Sequence, residues 1–228
     1  MKSSKGMLVT VEGIECVGKT PIAKMIVNSL KEMGYPSIYT YEPTNGPYGR
    51  IIRLMLRGII KDTWKWERGL LFALDRAWHV ANVIEPMIRR NIIVVCDRYI
   101  HSQLAYQAAE GLTMTVIEEL NREFPIPDIV VFLDSEPKYA LRRVSEIMRR
   151  GDISKSSIYN EEVFLNKVRE HYMRYIQDKR FTKDYVIINI DKEIGTDIIA
   201  NEEFRRKALN IVRSKVIPKI ISYVRTRT

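Results

Sequence analysis

The sequence predicts an α/β fold, a five-stranded parallel sheet with helices on both faces. Three observations carry that reading. Five short apolar runs alternate with helical patterns through connections mostly too short for anything but neighbouring elements. Two of those runs, IIVVC (92–96) and DIVVFLD (128–134), are apolar at consecutive positions, as strands covered on both faces are. Residues suited to the carboxyl edge of such a sheet, Gly13, Asp97 and Asp134, stand at three strand ends.

Taken in order, MLVTVE (7–12) is the first strand, leading into a glycine-containing loop. A helix follows from about Lys19 to Met33. Ile22, Met25, Ile26 and Leu30 give it an apolar face, and Gly34 is its C-cap. PSIYTY (36–41) is the second strand, EPTNGPYG (42–49) a loop, and RIIRLMLRG a helix stopped at Gly58. One long helical pattern runs from Trp66 to Arg89. IIVVC and DIVVFLD are strands three and four, followed by helical patterns at 136–149 and 160–178. Between those two helices GDISKSSIY (151–159) is polar and rich in small residues. YVIINID (185–191) is the fifth strand, and the tail from Glu202 is helical, with Pro218 as a kink or stop.

Composition narrows the function classes. The chain has 228 residues, enough for one substantial domain over 1–228, and no repeat or low-complexity segment. It is 46% hydrophobic and 29% charged, with a net charge of +9 that favours anionic partners such as nucleotides, nucleic acid or acidic membranes. Two cysteines, Cys16 and Cys96, argue against a disulfide framework or a cysteine zinc site and point to a reducing cytoplasm. The apolar run near the start is interrupted by Glu12 and Glu15 and is too short for a signal peptide. No stretch is long enough to span a bilayer.

The chemistry begins at GIECVGKT. Gly13, Gly18, Lys19 and Thr20 stand at the spacing of a phosphate-binding loop, between a predicted strand and a predicted helix. Backbone N–H groups there cradle phosphates, Lys19 neutralises β/γ charge, and the Thr20 hydroxyl suits Mg²⁺. Pro21 is tolerated because N–H groups of a first turn have no intrahelical partner. Asp97, ending another strand, is placed for Mg²⁺ or its water; a carboxylate capping the next helix would look the same. The loop implies ATP or GTP, and no NKxD-type guanine signature accompanies it. In LLFALDRAWH, Phe72 and Arg76 lie four apart on one helical face, able to stack and hydrogen-bond a base; an apolar stripe with one surface arginine has the same spacing. DRYIHSQLAYQ sets Arg98 beside Asp97, where it could clamp an acceptor phosphate, and follows it with Ser102, Gln103, Tyr106 and Gln107. His79, His101 and His171 are isolated, and no histidine or cysteine nucleophile stands out.

GIECVGKT, YEP (41–43), LLFALDRAWH, DRYIHSQLAYQ and PDIVVFLDSEPKYALRR (127–143) together resemble the thymidylate kinase family, over roughly residues 7–176. The resemblance implies a P-loop kinase fold with a mobile lid, here near 149–159, a homodimer packed through helices, and transfer of phosphate from ATP to dTMP with Mg²⁺. It implies that Gly13, Ile14, Glu15, Cys16, Val17, Gly18, Lys19 and Thr20 hold ATP, with Arg143 packing on adenine. Phe72 would stack thymine, Arg76 bond its carbonyl, Gln103 read its N3 edge, and Tyr106 stand beneath the sugar. Arg98 would bind the acceptor phosphate, near Ser102. Glu15, Glu42, Pro43, Arg53 and Tyr172 match the acceptor side. Thr20 and Asp97 serve the metal.

Two departures bear on catalysis. Cys16 occupies a position where some members carry Arg, which shifts the expected catalytic cation to the lid, to Arg149, Arg150 or Lys155. The D-R pair common in the lid is missing, and Pro21 replaces a hydroxyl residue. Two other readings stay open from the residues: a broader nucleoside monophosphate kinase, and a P-loop ATPase that binds nucleic acid through the basic tail from Arg205 to Arg227, for which a solvated helix face is the plainer account.

Overall fold

Strand β1 (Met7–Glu12) is buried at every position, as are β3 (Ile93–Asp97) and β4 (Ile129–Asp134). Their runs of Val, Ile and Leu are the reason, because no residue of a central parallel strand faces water. The computed structural model describes residues 6–61, 65–149, 161–196 and 201–226. With β2 (Ser37–Tyr41) and β5 (Asp184–Asn189) at the edges, the five strands form one parallel sheet in the order β2-β3-β1-β4-β5. Met7, Val9 and Val11 enter one core with Ile22, Ile26 and Leu30 of α1 (Lys19–Glu32). Leu8, Val94 and Cys96 enter a second core on the opposite face. Each such Val, Ile or Leu contributes roughly 1.5–3 kcal/mol on full burial.

The register positions the site. Val11 pairs with Asp97, so the loop leaving β1 lies beside the end of β3. Thr40 and Tyr41 pair with Cys96 and Asp97, which brings the segment after β2 to the same edge.

The long pattern at 66–89 is three segments. α3 (Lys65–His79) passes through a π-helical turn at Val80–Ile84 into α4 (Glu85–Arg89). Pro86 stands two residues beyond that turn and cannot donate to the carbonyl four residues back, so the wider turn accommodates its ring. The tail repeats this arrangement. α10 (Glu202–Ile211) is followed by a π turn at Val212–Val216, with Pro218 two residues beyond it, and α11 (Ile217–Thr226) continues. Pro218 therefore widens the helix rather than stopping it.

Other boundaries differ from the sequence reading. α2 (Pro47–Leu56) begins inside the stretch read as a loop, with Pro47 at its first position, where a missing N–H is harmless. β5 ends at Asn189, whose side chain caps the single turn α9 (Ile190–Glu193). α7 (Pro137–Arg149) and α8 (Glu162–Tyr175) fall where expected, whereas the sequence reading gave no bounds for α5 (Ile100–Ala109) and did not include α6 (Met114–Asn121). Arg149 is the exposed last residue of α7; Arg150, Lys155 and the rest of the proposed lid lie outside the described residues.

Candidate active site

The loop from Gly13 to Thr20 turns through three left-handed residues, Gly13 (φ 145), Cys16 (φ 52) and Gly18 (φ 93). At Gly13 a Cβ would lie 2.6 Å from the Leu133 carbonyl oxygen, so the loop can pass β4 only as glycine. Gly18 caps α1 without any side-chain bond, which leaves first-turn N–H groups for an anion. Lys19 is buried and its ammonium donates to the Ile14 carbonyl, back across the loop.

Burial, then the neighbouring Arg98 charge, lowers the Lys19 pKa from 10.5 to about 8. Bound phosphates favour the charged form. At about pH 8.5 nucleotide binding should therefore take up a substantial fraction of one proton. Calorimetric titration in buffers of different ionisation enthalpy measures this, and the uptake should vanish in Lys19→Met. Equal proton release or none in the wild type would contradict the assignment.

Thr20 Oγ1 donates to Asp97 Oδ2 at 2.5 Å, and the Tyr39 hydroxyl lies 3.4 Å from the same oxygen. A hydroxyl and a carboxylate placed together beside Lys19 are hard oxygen donors, the set Mg²⁺ prefers. Glu42, His79 and Cys96 also bring ligand-type atoms within 4.8 Å of one another. Those atoms are engaged in protein hydrogen bonds: Glu42 with Arg76 and His79, His79 with Thr40, and Cys96 with the Arg98 carbonyl.

Beside the loop an open cleft is lined by Cys16, Lys19, Thr20, Tyr39, Tyr41, Arg53 and Asp97, among others. It shares Glu15, Glu42, Pro43, Leu56 and Arg98 with a second, more enclosed cavity. Phe72, Arg76, Tyr99, Ser102, Gln103, Tyr106 and Gln107 complete that second cavity. Residues from α3 and α5 that the sequence placed on the acceptor side thus meet around one space. Arg98 stands at the junction of the two spaces.

Arg98 itself has φ 69, a conformation that a residue other than glycine keeps only when its surroundings hold it. Its backbone N–H donates to Val11 O at 3.0 Å. The guanidinium donates to Glu15 at 2.9 Å and lies 5.2 Å above the Tyr106 ring. Tyr106 donates its hydroxyl to the other Glu15 oxygen. Burial, then the Glu15 carboxylate, pushes the Tyr106 phenol well above its ordinary range, which keeps that donor protonated. Behind Arg98, Glu12 is fully buried and accepts from Tyr99 N (2.8 Å), Ser102 Oγ (2.6 Å) and Tyr172 OH (3.2 Å). Glu12 escaped the sequence reading. A carboxylate closing a buried strand just before the loop was the available signal.

Arg76 is buried, not the surface arginine that helix spacing also allowed. It bonds Glu42 Oε2 through Nε (3.1 Å) and Nη2 (2.8 Å), and donates from Nη1 to Gln103 and Asn121. Asp75 next to it accepts from Thr44 N (2.7 Å) and Oγ1 (2.6 Å). Adjacent residues of α3 thereby hold the segment after β2. His79, Asp75 and Asn121 were not assigned from sequence.

Three further predicted residues bond to other parts of the protein. Arg53 donates to the carbonyls of Pro43 (2.6 Å) and Thr44 and to Asn45 Oδ1, bracing the acceptor-side loop. Tyr172 stands behind Ser102, stacked on Phe132 at 5.2 Å. Arg143 is buried on Ser135, Asp191 (2.8 Å) and the Gly195 carbonyl. Asp134, the third strand-end residue, pairs with Arg169 at 2.6 Å and accepts from Asn189.

A phosphate loop at the edge of a parallel sheet, opening beside a second enclosed cavity, defines a P-loop phosphotransferase. A family model described as thymidylate kinase matches residues 11–197. A probable thymidylate kinase of Pyrococcus abyssi is 36% identical over 203 residues, 86% of this chain and 95% of that protein. A thymidylate kinase of Brachyspira hyodysenteriae is 36% identical over 194 residues, 83% and 95% of the two chains. One from Thermococcus gammatolerans, also described as probable, is 32% identical over 222 residues, 94% of this chain and all of that one. The chain belongs to the thymidylate kinase family.

Proposed function

We propose that this chain transfers the γ-phosphoryl group of ATP to dTMP, giving dTDP and ADP. The observation that carries the reading is the meeting of the phosphate-loop cleft and the enclosed cavity at Arg98 and Glu15. A phosphate monoester is largely ionised at neutral pH and needs no strong base. The task is to align two anions and offset their repulsion. Lys19 and the first-turn N–H groups hold the donor phosphates. Arg98 reaches the acceptor phosphate, oriented by Glu15 and Ser102. Thr20 and Asp97 would hold Mg²⁺, which neutralises charge on the β- and γ-phosphates when bound. Arg149, Arg150 or Lys155 supplies the lid cation that Cys16 does not. Phe72 and Arg76 take the base, and Tyr106 takes the underside of the sugar.

The test is turnover across dTMP, dUMP, dGMP, dCMP and AMP with ATP. The highest kcat/KM is expected for dTMP, and equal inactivity with all of them would sink the proposal. A nucleic-acid role is disfavoured by the tail's own contacts. Lys207 pairs with Glu203, Arg213 with Glu32, Lys215 with Glu193 and Lys219 with Asp184. Among the described residues no helix is long and apolar enough to cross a membrane, and both cysteines are free, which supports a cytoplasmic enzyme.

The homodimer is proposed through α3 and the π turn that follows it. Leu70, Leu74, Ala77 and Ala81 are exposed at spacings of four, three and four, one continuous helix stripe. A second copy packed there would cover it. Sedimentation should give a dimer that Leu74→Glu converts towards monomer; an unchanged sedimentation coefficient in that variant would move the interface elsewhere.

A further inference from the structure

Three elements bring oxygen atoms together behind Arg98. Glu12 ends β1, Ser102 lies in the first turn of α5, and Tyr172 lies on α8. The Glu12 carboxylate is fully buried and lines neither the cleft nor the enclosed cavity. Its Oε1 accepts from the Tyr99 backbone N–H at 2.8 Å, and its Oε2 from the Ser102 hydroxyl at 2.6 Å and the Tyr172 hydroxyl at 3.2 Å. Burial raises the Glu12 pKa, and the Ser102 hydroxyl, Arg98 and the Tyr99 N–H oppose that rise. Burial, then the Glu12 charge, pushes the Tyr172 phenol well above its ordinary range, so it stays protonated.

The main chain of Arg98 is held from both sides by neighbouring residues of β1. Its own N–H donates to the Val11 carbonyl at 3.0 Å, and the next N–H, of Tyr99, donates to Glu12. These two bonds bracket the left-handed φ of 69. Tyr99 opens α5, and its side chain does not cap that helix. Glu12 takes the Tyr99 N–H from another strand, as a capping-box acid does from within the helix, and sets a negative charge where the helix dipole favours one.

The guanidinium is held through Ser102, whose Oγ accepts from Arg98 Nη1 at 3.3 Å. Ser102 has one hydroxyl proton. A carboxylate only accepts, so that proton goes to Glu12 and leaves the Ser102 lone pairs for Arg98 and Tyr172. Glutamine at this position would give its amide N–H to Ser102 and turn the Ser102 proton towards Tyr172 or Arg98. Against Arg98 that sets donor against donor.

We infer that Glu12 is a positioning residue for phosphoryl transfer. It fixes Arg98 twice, the main chain through the Tyr99 N–H and the guanidinium through Ser102, so that the cation is oriented before the acceptor phosphate arrives. The inference rests on the proposed dTMP kinase reading and deepens it. A charge aimed in advance costs no reorganisation at the moment of transfer.

The experiment compares the wild-type chain with Glu12→Gln, Glu12→Asp, Arg98→Ala and the Glu12→Gln, Arg98→Ala double variant. It measures kcat, KM for dTMP and for ATP, and the thermal transition of each protein. Glutamine keeps the reach and the acceptor for Tyr99 and loses the charge. Its kcat should fall about tenfold to a hundredfold. The dTMP KM should rise and the ATP KM should stay unchanged, because the phosphate loop does not depend on Arg98. In the Arg98→Ala background the same substitution should lower kcat by less than about threefold, since the group it positions is already gone. Aspartate keeps the charge one methylene short of its donors and should lower kcat with the same unchanged ATP KM. If the glutamine variant does not fold, the aspartate variant and its own double variant decide. A folded variant with kcat within about threefold of wild type overturns the inference. So does an ATP KM that rises by as much as kcat falls, or a loss that adds in full to that of Arg98→Ala. Each of these leaves the kinase reading intact. A wild type that does not phosphorylate dTMP overturns both.

Discussion

Arg98→Ala lowers kcat for dTMP phosphorylation by about 10²–10³-fold, the loss typical when a positioned charge that stabilises the transition state is removed. The expectation follows from where Arg98 stands. It is the cation shared by the phosphate-loop cleft and the enclosed cavity, and its main chain is held at φ 69 by the Val11 carbonyl. Removing the guanidinium takes away the charge nearest the site of transfer and leaves Glu15 without its ion-pair partner. A carboxylate then faces the incoming phosphate, so the dTMP KM should rise as well. Arg98→Lys restores the charge without the planar fork that bonds Glu15 and Ser102 together, and should recover only part of the loss. Steady-state kinetics with saturating ATP measures both variants. A kcat for Arg98→Ala within about threefold of wild type would refute the assigned role.

Lys19→Met should lower kcat/KM for ATP by a comparable factor, about 10²–10³-fold, with little change in the dTMP KM. Methionine fills much of the same volume, so the loop keeps its packing while losing the ammonium. Lys19 is buried with its ammonium on the Ile14 carbonyl, and burial already pushes it towards its neutral form. The nucleotide-free variant should therefore be as stable as wild type or more so below about pH 8, where the native lysine holds a buried charge. Kinetic loss without thermal loss separates a phosphate-binding lysine from a structural one. Loss of stability with retained turnover would contradict it.

Much of the scaffold was legible because its central strands are buried on both faces. VTVE, IIVVC and DIVVFLD cannot serve any other purpose easily, and glycines at Gly13 and Gly18 mark the left-handed turns between strand and helix. Boundaries failed where turn chemistry imitates a loop. NGPYG reads as a turn, yet Pro47 begins α2 because a first-turn proline sacrifices no hydrogen bond. Pro218 read as a kink or stop, since the π turn that absorbs it leaves no mark on apolar periodicity.

The candidate site divides along a similar line. Lys19, Thr20, Asp97 and Arg98 follow from their neighbours in the chain. The partners that orient the base pocket do not: Glu42 and Arg76 are 34 residues apart, and Arg76 and Asn121 are 45 apart. Asn121 sits at the end of a short helix whose β-branched start hid it, so the Arg76–Gln103–Asn121 cluster becomes visible only once α3, α5 and α6 are packed together.

The central claim is phosphoryl transfer between two bound nucleotides, and product analysis tests it most directly. Incubation of the full chain with ATP, Mg²⁺ and dTMP, followed by chromatographic separation of the nucleotides, should yield dTDP and ADP in equal amounts, neither forming when dTMP is left out. ADP appearing without dTDP would mark a hydrolase rather than a kinase, and no ADP under any of these conditions would contradict the proposed function altogether.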